Sequence, residues 1–243
     1  MVSYPIQCKR PIVGRYFTLF ILLLTTAGAS GQQQIVLEDF EGERPGSLPS
    51  NWYNRDGNAK PATYSDEARA EYHYKVTREQ GRSFLRYEGS KAKHLLLQIP
   101  ENRFADIRQT PILSWDWRVH AIPTNANEFS EKQNDAAASI YVVWGFNALR
   151  VPKVVRYTWS STVDVGRTAA RNMNMQHIVV MASGTKDMGK WITFERNIVE
   201  DYNRFFRGPV PKKPVAILIL SDADDTGSFT KADYDRIVLK SVP

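Results

Sequence analysis

Between residues 112 and 119 the chain reads Ile-Leu-Ser-Trp-Asp-Trp-Arg-Val, and this alternation constrains the fold more than any other feature. Leu113, Trp115, Trp117 and Val119 fall on one side, and Ser114, Asp116 and Arg118 on the other. Side chains of an extended chain point alternately to opposite faces, so a period of two marks a strand with one dry and one wet face. Comparable short runs occupy 35–40, 72–76, 84–87, 95–99, 137–144, 154–159, 178–182, 191–196, 215–220 and 234–239. The run 215–220 is apolar at every position, the pattern of a strand covered on both faces inside a sheet. One stretch has helical spacing instead: Val199, Tyr202, Phe205 and Phe206 follow Asn197, a residue type suited to capping, which predicts a short helix near 198–206. About eleven short strands with turn residues between them, and no segments of crossover-helix length, predict an all-β fold. The expected architecture is a β-sandwich, jelly-roll-like in form.

The first 29 residues are of a different kind. Lys9, Arg10 and Arg15 come without an acid, an apolar run covers 16–27, and Ala27 and Ala29 satisfy the small-x-small rule for cleavage. This predicts a cleavable secretory signal over 1–29 and one domain over 30–243, in the periplasm or secreted. The apolar run is too short for a spanning helix of roughly 20 residues, and no later run is long enough, so no transmembrane helix is expected once the signal is cleaved. The single cysteine, Cys8, precedes the apolar run. A processed chain would then have no disulfide and no thiol nucleophile. The formal charge of +6 includes three leader cations, and the remaining +3 is spread without a Lys/Arg block, which argues against a nucleic-acid partner. Four scattered histidines show no H-E-x-x-H spacing, and the serine-hydrolase elbow and the glycine-rich nucleotide loops are missing.

Two end motifs narrow the sandwich. Glu38-Asp39-Phe40-Glu41-Gly42, followed by Pro49 and Trp52, resembles the opening of jelly-roll domains of the galactose-binding and carbohydrate-binding type. Ala232-Asp233-Tyr234-Asp235-Arg236-Ile237-Val238-Leu239 resembles their closing strand. The resemblance implies that the first and last strands pair or lie close.

Four further elements cover most of the chain. They are Trp115–Val119 with Asp135 and Ile140–Trp144; Val179-Val180 with Ser183-Gly184 and Trp191; Glu195–Ile198 with Asp201-Tyr202; and Ser221–Gly227 with Tyr234 and Asp235. Their order and spacing are similar to a bacterial family, domain of unknown function 3047, largely of exported proteins. That resemblance implies a sandwich fold and an envelope or secreted location, and it supplies no reaction.

Candidate chemistry falls in three groups. Asp222, Asp224 and Asp225 are the densest acidic cluster. Either they accept backbone N–H groups in a turn, or with the Thr226 and Ser228 hydroxyls they supply the oxygens of a structural calcium. A second ion site, by analogy with the fold alone, joins Glu38 or Asp39 to Asp233 or Asp235. Among the aromatics, Trp52, Tyr53 and Tyr64 read as loop residues and Trp144 and Trp159 as strand ends, where a flat ring would serve as a sugar platform. The alternative for each is core filling, which alternation assigns to Trp115 and Trp117. Glu195, Asp135 and Asp116 are strand acids of the type a glycosidase needs in pairs, or ordinary solubilising residues of exposed faces.

The reading favoured on these grounds is noncatalytic binding of a glycan or envelope component. The alternatives are a glycan-active hydrolase or lyase on the same fold, and a structural envelope protein that binds other proteins. An enzyme would bring Asp116, Asp135, Glu195 and Asp222 into one cleft.

Overall fold

Alternating runs become strands wherever a partner strand is in reach. The computed structural model describes residues 32–54, 73–91, 94–99, 106–147, 149 and 151–243. The leader at 1–29, Cys8, Tyr64, Tyr72 and the rest of the polar stretch that follows Asn54 lie outside the described residues. Residues Gln32–Pro243 form one compact unit.

Among the described residues the strands are β1 (Gln34–Glu38), β2 (Trp52–Asn54), β3 (Tyr74–Glu79), β4 (Arg82–Gly89), β5 (Leu95–Gln98), β6 (Ile112–Ala121) and β7 (Ala136–Phe146). They continue with β8 (Pro152–Ser160), β9 (Thr168–Arg171), β10 (Gln176–Ser183), β11 (Ile192–Asn197), β12 (Ala216–Asp222) and β13 (Thr230–Lys240). The helix α1 is Ile198–Phe205. Its cap is the one expected: the Asn197 side chain accepts the Glu200 N–H at 3.2 Å.

Two sheets face each other, so the chain is the β-sandwich that the alternation predicts. The first runs β11-β6-β13-β4-β3, with β1 also on β13. The second runs β2-β5-β12-β7-β8-β10-β9, antiparallel except for the β8–β10 pair. The apolar run at 215–220 becomes β12, interior to its sheet and buried on both faces. β4 pairs with the first half of β13 and β1 with its last residues, so the chain ends meet as the end motifs imply. Between these halves β13 carries a bulge, with Arg236 in the left-handed region at φ 50°. The extra residue returns Ile237 and Leu239 to the side already taken by Tyr234.

Trp115 and Trp117 of β6 are fully buried between the sheets, as alternation requires. Trp115 stacks on Tyr157 of β8 at 5.3 Å and on Phe194 of β11 at 5.9 Å. Two tyrosines cross the sandwich and fix its register. The Tyr234 hydroxyl donates to the Leu220 carbonyl (2.9 Å), and the Tyr74 hydroxyl accepts the Ser221 N–H (2.9 Å). The helix is tied down by Asp201, a buried acid that accepts the Tyr157 hydroxyl at 2.6 Å and Arg196 Nε at 2.9 Å.

Two strands were not legible in the sequence. β2 and β9 have three and four residues, too few for alternation to show. Trp52, expected in a loop, lies in β2 and is buried. Its indole stacks on Phe40 at 6.1 Å and donates to Glu38 Oε2 at 2.9 Å.

Candidate functional site

The outward face of the first sheet is a charge lattice built on alternation. β4 places Arg82, Phe84 and Arg86 there, β6 Asp116, Arg118 and His120, and β13 Asp233 and Asp235. Asp233 is wholly buried. It accepts Arg86 Nε at 2.7 Å and Arg118 Nε at 2.8 Å, and His120 Nε2 lies 2.8 Å away. Arg82 bridges Asp116 and Asp235, at 2.5 Å from each. Phe84 is also fully buried, although it points away from the core, because the Arg86 and Arg118 planes lie 5.1 and 5.0 Å from its ring centre. Trp191, at the entry to β11, completes the layer. Its ring centre lies 3.8 Å from the Arg82 guanidinium and 4.7 Å from that of Arg118, with the Phe84 ring edge-on at 5.3 Å.

A pocket of about 390 Å³ opens at one end of this face, lined by Asp39, Glu41, Gln80, Gly81, Arg82, Asp235 and Arg236. Local backbone chemistry shapes it. Gln80 and Gly81 have φ of 50° and 83°, the doubly left-handed turn that matches hairpin twist and favours glycine. Phe40, beside Asp39, and Arg236 are left-handed as well. Burial raises the Asp235 carboxyl to about 6, opposed by the neighbouring Arg82.

The end-to-end ion site expected from the fold is only partly assembled here. Asp39 and Asp235 reach one pocket, but Arg82 already neutralises Asp235. Glu38 is engaged by two backbone N–H groups and the Trp52 indole, and Asp233 by Arg86, Arg118 and His120.

The second acidic cluster differs from the expected one by a residue. Asp135, Asp222 and Asp224 bring carboxylate oxygens within 4.8 Å of one another. Asp225 turns away to accept the Asn134 N–H at 3.1 Å, and Asp135, from the loop entering β7, takes its place. Asp135 is buried and accepts the Thr226 N–H (2.7 Å) and hydroxyl (2.6 Å), so the turn role and the cluster coexist. The Thr226 and Ser228 hydroxyls bond each other at 2.7 Å. Asp222 is buried and accepts the Ala136 N–H at 2.8 Å. Its carboxyl is pushed up to about 8 by burial, against the pull of Arg156 and with the repulsion of Asp135 and Asp224. Three carboxylates at one point suit a hard cation, or a shared proton.

The three acids proposed for catalysis, Asp116, Asp135 and Glu195, do not share one cleft with each other and Asp222. Asp116 and Glu195 lie on the first sheet, where Asp116 is held by Arg82 and the Thr193 hydroxyl (2.6 Å) and Glu195 by Lys240 (2.6 Å). Asp222 ends β12 in the second sheet, and Asp135, in the loop entering β7, lies beside it. Trp52, Trp144 and Trp159 are buried, with Trp144 packed on Tyr202 at 5.1 Å, so none offers a face to a ligand. Tyr53 is half-buried on the edge strand β2. Trp191, half-buried on the outward face, was missed as a candidate. The signal was there: alternation with the inward Ile192 and Phe194 puts Trp191 on the same side as Thr193 and Glu195.

With the geometry fixed, comparison with known proteins decides the family. A family described as protein of unknown function (DUF3047) matches residues 51–238. The chain belongs to the DUF3047 family. A search of curated protein sequences returned no match. Solved structures similar to this DUF3047 chain include a family 11 carbohydrate-binding module of the cellulosomal cellulase Lic26A-Cel5E of Clostridium thermocellum. It is 13% identical, with 88% of this chain and 97% of the module covered and a TM-score of 0.41. A family 30 carbohydrate-binding module is 10% identical, covering 86% and 99%, at a TM-score of 0.44. An exo-beta-agarase is 11% identical over 86% of the DUF3047 chain but 25% of its own, also at 0.44.

Proposed function

We propose that this DUF3047 protein is an exported, noncatalytic glycan-binding protein whose site is the pocket at the β1–β13 junction. The observation that carries the reading is the lining. Every side chain facing the pocket is a carboxylate, an amide or a guanidinium, and Arg82 in its wall is stacked on the half-buried Trp191. Sugar hydroxyls donate and accept, so they are recognised by paired acceptors and donors. Asp39 and Asp235 supply acceptors, and Gln80 and the exposed Arg236 supply donors. Trp191 stands behind the wall and holds the Arg82 guanidinium in place by stacking. Export rests on the leader at 1–29, and the absence of cysteine after Cys8 is compatible with a fold held by packing alone. Within the pocket Asp235 is paired with Arg82 and Glu41 accepts the Ser83 N–H, engagements that favour binding over hydrolysis, which needs two carboxylates free to flank one bond.

The test is a glycan array followed by calorimetry with any ligand found. Gln80→Gly keeps the left-handed turn and removes the amide. Trp191→Ala removes the ring. Each is expected to weaken binding about tenfold or more, the equivalent of about 1.4 kcal/mol. An array with no binder, or a ligand whose affinity neither substitution changes, would overturn the reading. Steady release of new sugar ends from a bound polysaccharide would replace it with the enzymatic one.

A further inference from the structure

At the far end of β7 from the acidic cluster, three large apolar side chains stand in water. Phe146 and Leu149, in the β7–β8 hairpin, are 63% and 74% exposed, and Met173, in the β9–β10 turn, is 74% exposed. These tips are held in place. The Asn147 side chain accepts the N–H groups of Leu149 (3.0 Å) and Val151 (2.8 Å), and the Met175 N–H donates to the Asn172 carbonyl at 3.1 Å. β8 and β10 run parallel with Val154 beside Gln176, so both tips project from the same end of the sheet.

Cations surround them. Lys153 lies opposite Gly145 in the hairpin. Arg204 and Arg207 sit at the end of α1, which is pinned here by Phe205 stacked on His177 at 4.6 Å and by Lys153 Nζ at 3.4 Å from the Arg207 carbonyl. Lys212 lies in the segment that leads into β12, whose first residue pairs with Val143 near the end of β7. Arg204, Arg207 and Lys212 are exposed, and none forms an ion pair among the described residues. Asp106, which also lies near Lys212, is held by Arg108.

Apolar tips ringed by cations match the chemistry of a bilayer surface, where side chains enter the headgroup boundary and cations meet lipid phosphates. We propose that this end of the sandwich docks on an anionic lipid membrane, with Phe146, Leu149 and Met173 inserted and Arg204, Arg207 and Lys212 on the phosphates. Attachment is peripheral: no described helix is long and apolar enough to cross a membrane. The surface is separate from the polar pocket, so docking and glycan binding succeed or fail independently.

The test is co-sedimentation of a chain beginning at Gln32, which retains every described element and omits the apolar leader. Vesicles are phosphatidylcholine alone, or phosphatidylcholine mixed equally with phosphatidylglycerol. Binding is expected to the anionic vesicles, weakening as salt is raised. Phe146→Ser with Leu149→Ser is expected to lower the partition coefficient about tenfold or more. Arg207→Glu and Lys212→Glu are expected to lower it at least about fivefold each. These residues are exposed, so thermal melts should match the parent and exclude misfolding as the cause. No binding to anionic vesicles, or binding that the double serine variant retains in full, would overturn the proposal. Capture of a protein partner through the same tip, without vesicle binding, would also overturn it.

Discussion

Asp233→Ala is expected to cost about 3–5 kcal/mol of folding stability, the range for removing one partner of a buried ion pair. The carboxylate is fully enclosed and meets Arg86, Arg118 and His120 within 3 Å. Without it both guanidiniums depend on Glu79, a partly exposed acid at 2.9 Å from Arg86 and 2.7 Å from Arg118. Those same guanidiniums lie over Phe84, so their release would also let water reach a ring that is now dry. A domain has only about 5–15 kcal/mol to lose. Asp233→Asn keeps the shape and an acceptor and should cost less than the alanine variant. The measurement is a urea transition with the slope compared between variants. A loss under about 1 kcal/mol for Asp233→Ala would mean that the arginines find other partners as readily as they now use Asp233.

Much of this face could be read from the sequence only halfway. Alternation at 112–119 showed that Asp116 and Arg118 point away from Trp115 and Trp117, and they do. It could not show that both are covered, because covering depends on β4 and β13 lying alongside, a pairing with no local signature. Phe84 lies on the same outward face, and its burial comes from arginine planes above the sheet, which the run 84–87 could not show by itself. The junction of β1 with β13 was implied by the end motifs, so the meeting of Asp39 and Asp235 was foreseeable. Arg82 as their neighbour was not, since it enters from the β3–β4 turn. Asp135 joins Asp222 and Asp224 because β7 and β12 are antiparallel, which puts the start of one beside the end of the other. Periodicity identifies strands and faces. It leaves partners and registers to the tertiary fold.

Asp222→Asn is expected to raise stability at pH 8 and to leave it unchanged near pH 4. The folded carboxyl is raised to about 8 from an ordinary 3.8, chiefly by burial. Between those values the folded state holds a proton that the unfolded state has released, so stability falls as pH rises through the window and levels off above it. One pKa unit is 1.36 kcal/mol, which puts the full effect on the order of 2–5 kcal/mol once relaxation around Asp135 and Arg156 is allowed. Asparagine imitates the protonated acid and still accepts the Ala136 N–H, so it removes the slope without removing the bond. Parallel stability curves for the two proteins from pH 4 to 8 would show that Asp222 stays ionised, neutralised by Arg156. The same pair of proteins tests the cation. A calcium ion on Asp135, Asp222 and Asp224 must displace the Asp222 proton, so calcium would stabilise the parent at pH 8, release protons, and do neither in Asp222→Asn. An equal response in both proteins would place the ion elsewhere. The two titrations together separate a buried carboxyl that keeps its proton from one that gives it up to a metal.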